Sequence, residues 1–343
     1  MSDFSQPLVH DEPISFTITE NNDHVVEAEA ATVVREEGPD DIVEEKLTIE
    51  NISIVQEESS VVPIQENIPL PWEHQKINHN FQLNFLARPY DPRDYTFHFN
   101  EETNKIVINK KGKTILKAPK STLPESFSLQ SSMSPIMDQG SIGSCVLNAL
   151  AQNINTQTKN VVTPSRLFLY ANSRILQGSL LSDDSGTDIA TACSAILNYG
   201  TCKEATWPYN TNNYSVYPPL AAFQNAKKFI SFTYTFINPT LASLQTALYT
   251  KKTAIVFGFL VYSSFTTNAV AKTGIVPMPN TQTEVLEGGH CMNIVGYDNS
   301  KQWFICANSW GTSWGNKGYC YIPYAYLLNA NLAIDFCQPT FVY

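Results

Sequence analysis
The chain carries seven cysteines and six histidines, and thiol chemistry would need one of each to meet. His10, His24, His74, His79 and His98 all precede residue 100, so His290 is the single imidazole of the C-terminal two thirds. It stands in Glu287-Gly-Gly-His-Cys-Met-Asn-Ile-Val-Gly-Tyr-Asp298, at the mouth of an apolar strand whose two glycines leave its approach side open. A lone histidine at a strand start is more often structural than catalytic until a partner is found. Cys145, in Asp138-Gln-Gly-Ser-Ile-Gly-Ser-Cys145-Val, is the partner candidate. Gly140 and Gly143 permit a tight loop, which puts Cys145 in the first turn of the amphipathic helix that follows. There the free N–H groups and the macrodipole favour a thiolate. Cys193, Cys291, Cys306 and Cys320 sit inside apolar periodic stretches, and Cys202 and Cys337 near turns or the chain end, where inert burial is expected. Asn308, in Ala307-Asn-Ser-Trp-Gly, could accept the second ring N–H of the histidine and fix its tautomer, with Trp310 shielding the bond from water.

These residues need elements to hold them. Val146, Leu147, Leu150, Ala151 and Ile154 recur at helical spacing, as do Ile189, Cys193, Ile196 and Leu197, the latter set ending at Gly200 as a C′ glycine. Asn238-Pro239 reads as an N-cap and first position for a helix through Leu241, Leu244 and Leu248. After residue 250 the pattern turns to strands, at 254–260, 291–297, 303–307 and 319–322. Helices first and strands second imply an α+β domain of two segregated layers with a cleft between them.

The order Gln139, Cys145, His290, Asn308 is where the residues meet a family, for the chain resembles the papain-like cysteine peptidases over about 121–343. His290 follows Cys145 by 145 residues and Asn308 follows it by 163, against the family's window of roughly 130 to 150. Asp138-Gln-Gly-x-x-Gly-Ser-Cys145, Gly289-His290 with Val295-Gly-Tyr-Asp298, and Asn308-Ser-Trp-Gly-x-x-Trp-Gly315 match its three blocks. Asp184-Ser-Gly186, the Tyr199–Tyr209 stretch and Gly274-Ile-Val-Pro-Met-Pro279 resemble its compact branch from bacteria and large DNA viruses. The resemblance implies a papain-like two-subdomain fold, a helical left half and a β-barrel-like right half with the active-site cleft between them. It also implies Cys145 as nucleophile, His290 as general base and then acid, Asn308 as orienter, and Gln139 as oxyanion-hole donor beside the Cys145 N–H. Gly186 would lie along the substrate backbone. Two departures stand out. Ile142 and Val146 replace the usual cysteine and aromatic, so one familiar disulfide cannot form, and the first hundred residues hold no helical inhibitory prosegment of the secreted kind. The competing readings are a catalytically silent papain fold used for binding, and amide or acyl transfer on a non-protein substrate.

Charge divides the chain further. Residues 1–70 carry 17 Asp and Glu against two basic residues, whereas 71–120 are net +4. The expected organisation is an acidic disordered tail (1–70), a basic extended arm or pro-like segment (71–120) and the peptidase domain (121–343), with the tail able to dock on the arm and partly cover the cleft. No apolar run approaches a bilayer span and the N-terminus has no signal-peptide pattern. The cysteines form no C-x-x-C pair and read mostly as reduced core thiols, with one or two disulfides left open. The expectations are an intracellular monomer, or a virion component if viral, acting on a protein or peptide, with no cofactor, metal, membrane or nucleic-acid partner.

Overall fold
The computed structural model of the protein describes residues 82–88, 96–100, 105–110, 113–119, 123–229 and 231–341; the acidic tail lies outside them. Where the helical spacing begins, α1 (Cys145–Gln157) forms and buries Val146, Leu147, Leu150, Ala151 and Ile154. Beside it lie α2 (Arg166–Leu176), α3 (Ile189–Tyr199) and α4 (Leu220–Ala226). The side chain of Ser165 caps α2 by accepting the Phe168 N–H, Asp188 caps α3 through the Thr191 N–H, and α3 ends at Gly200 with φ +72° as its spacing predicts. Phe168, Ile196 and Leu150 are among the side chains that close this helical half around one apolar core.

The other half is built on a sheet. Its strands are β1 (Thr96–Asn100), β2 (Lys105–Lys110), β3 (Lys113–Pro119), β4 (Ser126–Ser128), β5 (Phe232–Ile237), β6 (Ile255–Tyr262), β7 (Leu286–Asp298), β8 (Trp303–Ala307), β9 (Tyr319–Pro323) and β10 (Ala333–Phe341). They run in the order β3-β2-β1-β5-β10-β6-β7-β8-β9, with β4 paired to β7. Three helices, α5 (Leu241–Lys251), α6 (Asn268–Thr273) and α7 (Tyr324–Leu327), pack on a second core that contains Leu244, Phe257, Phe259 and Ile294. The α+β class therefore holds, with a helical half and a sheet half.

Three local expectations change. The helix expected from Asn238-Pro239 starts at Leu241 with Thr240 as its cap, because the Asn238 N–H is taken by the Phe97 carbonyl at 2.9 Å and keeps that residue on the sheet. Strand β10, beyond the last expected strand, contains Pro339, a residue that normally argues against a central strand. It is tolerated because β10 pairs with β6 only as far as Cys337, so at Pro339 only β5 is a neighbour. In the stretch expected as an extended arm, Thr96–Asn100, Lys105–Lys110 and Lys113–Pro119 add β1–β3 to the sheet edge through a parallel pairing of β1 with β5.

Candidate active site
Helix α1, which opens with Cys145, packs across β7, which carries His290. Cys145 is the first residue of α1 and His290 the fifth of β7. Backbone hydrogen bonding from Cys291, Val146 and Cys145 pulls the pKa of the Cys145 thiol down. All three favour a thiolate, as the helix-terminus argument requires. Burial outweighs them: the sulfur is fully enclosed and its pKa is pushed up to about 12, with the Asp184 carboxylate adding to the rise. The expected low-pKa thiol is therefore absent from this closed state. Burial also drives His290 down to about 4, against a smaller upward pull from Asn308, so thiol and imidazole are both neutral.

His290 Nε2 lies 2.8 Å from Asn308 Oδ1, and that oxygen also accepts the Ser309 N–H at 2.8 Å. Trp310 stacks on the imidazole with ring centroids 4.8 Å apart, covering the bond as the sequence order suggested. Nδ1 has no hydrogen-bond partner among the described residues. Gln139, fully buried, is held at both ends of its peptide: its N–H donates to Ser309 O at 2.8 Å and its carbonyl accepts Tyr209 O–H at 2.7 Å. The Ser309 hydroxyl donates to Gln139 Oε1 at 2.7 Å, which turns the amide nitrogen Nε2 toward the cleft. Cys145, His290, Asn308 and Gln139 are thus gathered at one place, and Ser309 is a supporting residue that sequence reading passed over.

The cleft is filled by the chain itself. Residues 82–88 run through it as an extended strap, with Phe85 N–H donating to Gly289 O at 3.0 Å and Leu86 N–H to Thr187 O at 3.3 Å. Gln139 Nε2 donates to the strap carbonyl Gln82 O at 3.1 Å. Gly186, at φ +73°, lies against the strap as it was expected to lie against a substrate backbone; a Cβ there would stand 1.7 Å from Asn84 O. The Phe85 ring is 2% exposed and occupies the space where a side chain at Gly258 would be, 2.0 Å from such a Cβ. An extended segment thus covers the site. Nothing in the composition of 82–88 announces this, since the strap is recognised only by the walls that it touches.

All seven cysteines are free and buried in this structure. Among the described residues no group of His, Cys, Asp and Glu could hold a metal, and no helix is long and apolar enough to cross a membrane.

Residues 123–336 match the family model for papain family cysteine proteases. An uncharacterized peptidase C1-like protein of Acanthamoeba polyphaga mimivirus is 37% identical over 276 residues, covering 76% of this chain and 86% of that protein. Peptidase 1 of Euroglyphus maynei is 25% identical over 248 residues, 70% of this chain and 71% of its own. The crystal structure of xylellain, a cysteine protease from Xylella fastidiosa, superposes with a TM-score of 0.64 at 28% identity, over 78% of this chain and all of that one. A viral and a bacterial relative agree with the compact branch that the motifs resemble.

Proposed function
Given that the chain belongs to the papain family of cysteine proteases, we propose that it hydrolyses peptide bonds through a thioester on Cys145, with its cleft held shut by residues 82–88. The observation that carries this reading is the 2.8 Å bond between His290 Nε2 and Asn308 Oδ1, which fixes the imidazole and leaves its Nδ1 without a hydrogen bond among the described residues. Strap release admits water and a substrate carbonyl and lifts the burial that keeps both groups neutral. The proton then passes from Sγ to His290, and the thiolate adds to the carbonyl carbon. The oxyanion is held by Gln139 Nε2 and the Cys145 N–H. Collapse expels the amine, which takes its proton from His290 and leaves the thioester. Water, deprotonated by His290, hydrolyses that thioester and restores the thiol. Gln139 Nε2 already donates to a peptide carbonyl, that of Gln82, which supports its assignment as the oxyanion donor.

The test uses the full chain with and without Phe85→Ala. Removing a buried phenylalanine costs roughly 3–5 kcal/mol where the pocket does not collapse, enough to open the strap by ~10²-fold or more. Phe85→Ala should therefore raise both peptide hydrolysis and iodoacetamide labelling of Cys145. In that background Cys145→Ala and His290→Ala should be the least active, followed by Gln139→Ala, down about 10²- to 10³-fold in kcat, and Asn308→Ala. Undiminished hydrolysis by His290→Ala would contradict the assignment, and unchanged labelling in Phe85→Ala would contradict the strap.

A further inference from the structure
Between the loop that carries Cys145 and the wall that carries Gly186 stands a carboxylate to which the mechanism assigns no task. Both oxygens of Asp184 accept the Gly143 N–H, each at 2.9 Å, and Oδ1 also accepts the Tyr170 hydroxyl at 2.5 Å. That same phenol oxygen accepts the Gly186 N–H at 3.1 Å. One side chain therefore ties two segments more than forty residues apart, one directly and one through Tyr170.

What the two segments do gives the tie its meaning. Gly143 is two residues before Cys145, and the carbonyl of its neighbour Ile142 receives Gln139 Nε2 at 3.2 Å, so the loop that anchors at Gly143 also aims the oxyanion donor. Gly186 precedes Thr187, whose carbonyl holds the strap's Leu86 N–H and so marks the main-chain edge available to a peptide. The wall is braced from behind by Arg174, fully buried, which donates to Leu181 O at 2.9 Å, Asp183 O at 2.7 Å and Tyr214 O. Its guanidinium lies over the Tyr170 ring at 4.0 Å. Charge-assisted acceptance makes a carboxylate a stronger anchor than an amide, and it leaves no donor facing Gly143 or Tyr170. Such a tie needs no oxidant, in a chain where Ile142 stands in place of a cysteine.

We propose that Asp184 is a positioning residue for the reaction: through Gly143 it sets Cys145 and Gln139, and through Tyr170 it sets the Gly186 edge that aligns the substrate backbone. This rests on the peptidase mechanism above. Tyr170→Phe cuts only the branch to Gly186, whereas Asp184→Ala cuts both, so the two variants separate in kinetics.

The experiment takes the full chain carrying Phe85→Ala as parent and adds Tyr170→Phe, Asp184→Ala or Asp184→Asn, measuring kcat and KM on a peptide together with a thermal melt. Tyr170→Phe should raise KM about 3- to 10-fold, the worth of one hydrogen bond, with kcat within twofold. Asp184→Ala should lower kcat ~10- to 100-fold, as displacements near 1 Å do, and raise KM as well. Asp184→Asn, which keeps one oxygen for Gly143, should recover part of kcat but not the whole. Folded Asp184→Ala enzyme with kcat and KM both within twofold of the parent would overturn the proposal. So would a kcat loss in Tyr170→Phe equal to that of Asp184→Ala. If Asp184→Ala does not fold, Tyr170→Phe and Asp184→Asn decide by the same criteria. A parent without any hydrolysis would instead sink the peptidase mechanism, and the positioning role with it.

Discussion

At the scale of the residue, the same burial that silences Cys145 and His290 ties the closed state to pH. His290 titrates near 4 in the fold and near 6.5 when unfolded, so acid favours the unfolded chain, which takes up the proton first. Its contribution to stability is complete above about pH 6.5 and is lost as pH falls toward 4, some 3 kcal/mol for a shift of this size. Urea melts between pH 7 and 4 should show that loss in the wild-type chain and a shallower slope in His290→Phe. Parallel slopes would mean that the imidazole is not held neutral in the fold. Phe85→Ala, which opens the cleft to water, should also flatten this part of the profile, because a solvated imidazole returns toward its ordinary range.

At the scale of the element, the register of α1 against β7 decides whether a thiol and an imidazole can meet, and buried amides set that register. Asn293, three residues after His290, donates to Ala149 O at 2.9 Å, four residues after Cys145, and to Gln152 Oε1 at 3.2 Å. Asn153 donates to Ala254 O at 2.9 Å and to Asn293 Oδ1 at 3.4 Å, joining the same helix to the residue before β6 and to β7. All these side chains are buried. An apolar seam would be as cohesive but would tolerate sliding, whereas each amide left unpaired costs about 1–3 kcal/mol. Asn293→Leu should therefore destabilise the chain by roughly that amount per orphaned group. In a double-mutant cycle with Asn153→Leu the two should couple by about 0.5–3 kcal/mol. Strict additivity in urea midpoints would show that the two amides act independently.

At the scale of the whole molecule, the acidic excess and the closing segment belong to different parts of the chain. Residues 1–70 hold the acidic excess, yet the segment in the cleft is 82–88, held by main-chain pairing, the Phe85 ring, side-chain bonds from Asn84 and Gln139, and Arg88 beside Asp188 at 3.9 Å. We propose that the tail is dispensable for folding and for closure, and that the division at residues 70 and 120 marks changes in composition. A chain beginning at Pro71 should melt within about 2 °C of the full chain, since apolar surface at no sustained period adds little to a core. Its Cys145 should remain as slow to react with iodoacetamide as in the full chain. A large drop in melting temperature, or fast labelling, would assign the tail a place in the fold or over the cleft. Salt bears on the same point, because a tail held by charge should loosen near 1 M, where the Debye length is about 3 Å.

The order Gln139, Cys145, His290, Asn308 and the periodicities around it were legible because they are local: a glycine loop before an apolar helix, a glycine pair before an apolar strand, an asparagine at a strand end. The α+β class was legible for the same reason, and so was the end of α3 at Gly200, where a positive φ leaves a chemical mark in the sequence. Central strand β10 was not, since what makes Pro339 acceptable is the absence of a β6 partner at that position, a fact of pairing and not of composition. The protonation state of the pair was not legible either. A helix N-terminus argues for a thiolate, and only the enclosure of Cys145 reverses that argument. The strap, Asp184 and Asn293 share this character: each is an ordinary residue or segment until a partner some 40 to 200 positions away in the chain comes within hydrogen-bond reach. Local chemistry named the candidate reacting groups, and long-range packing decided what they face, what charge they carry and what covers them.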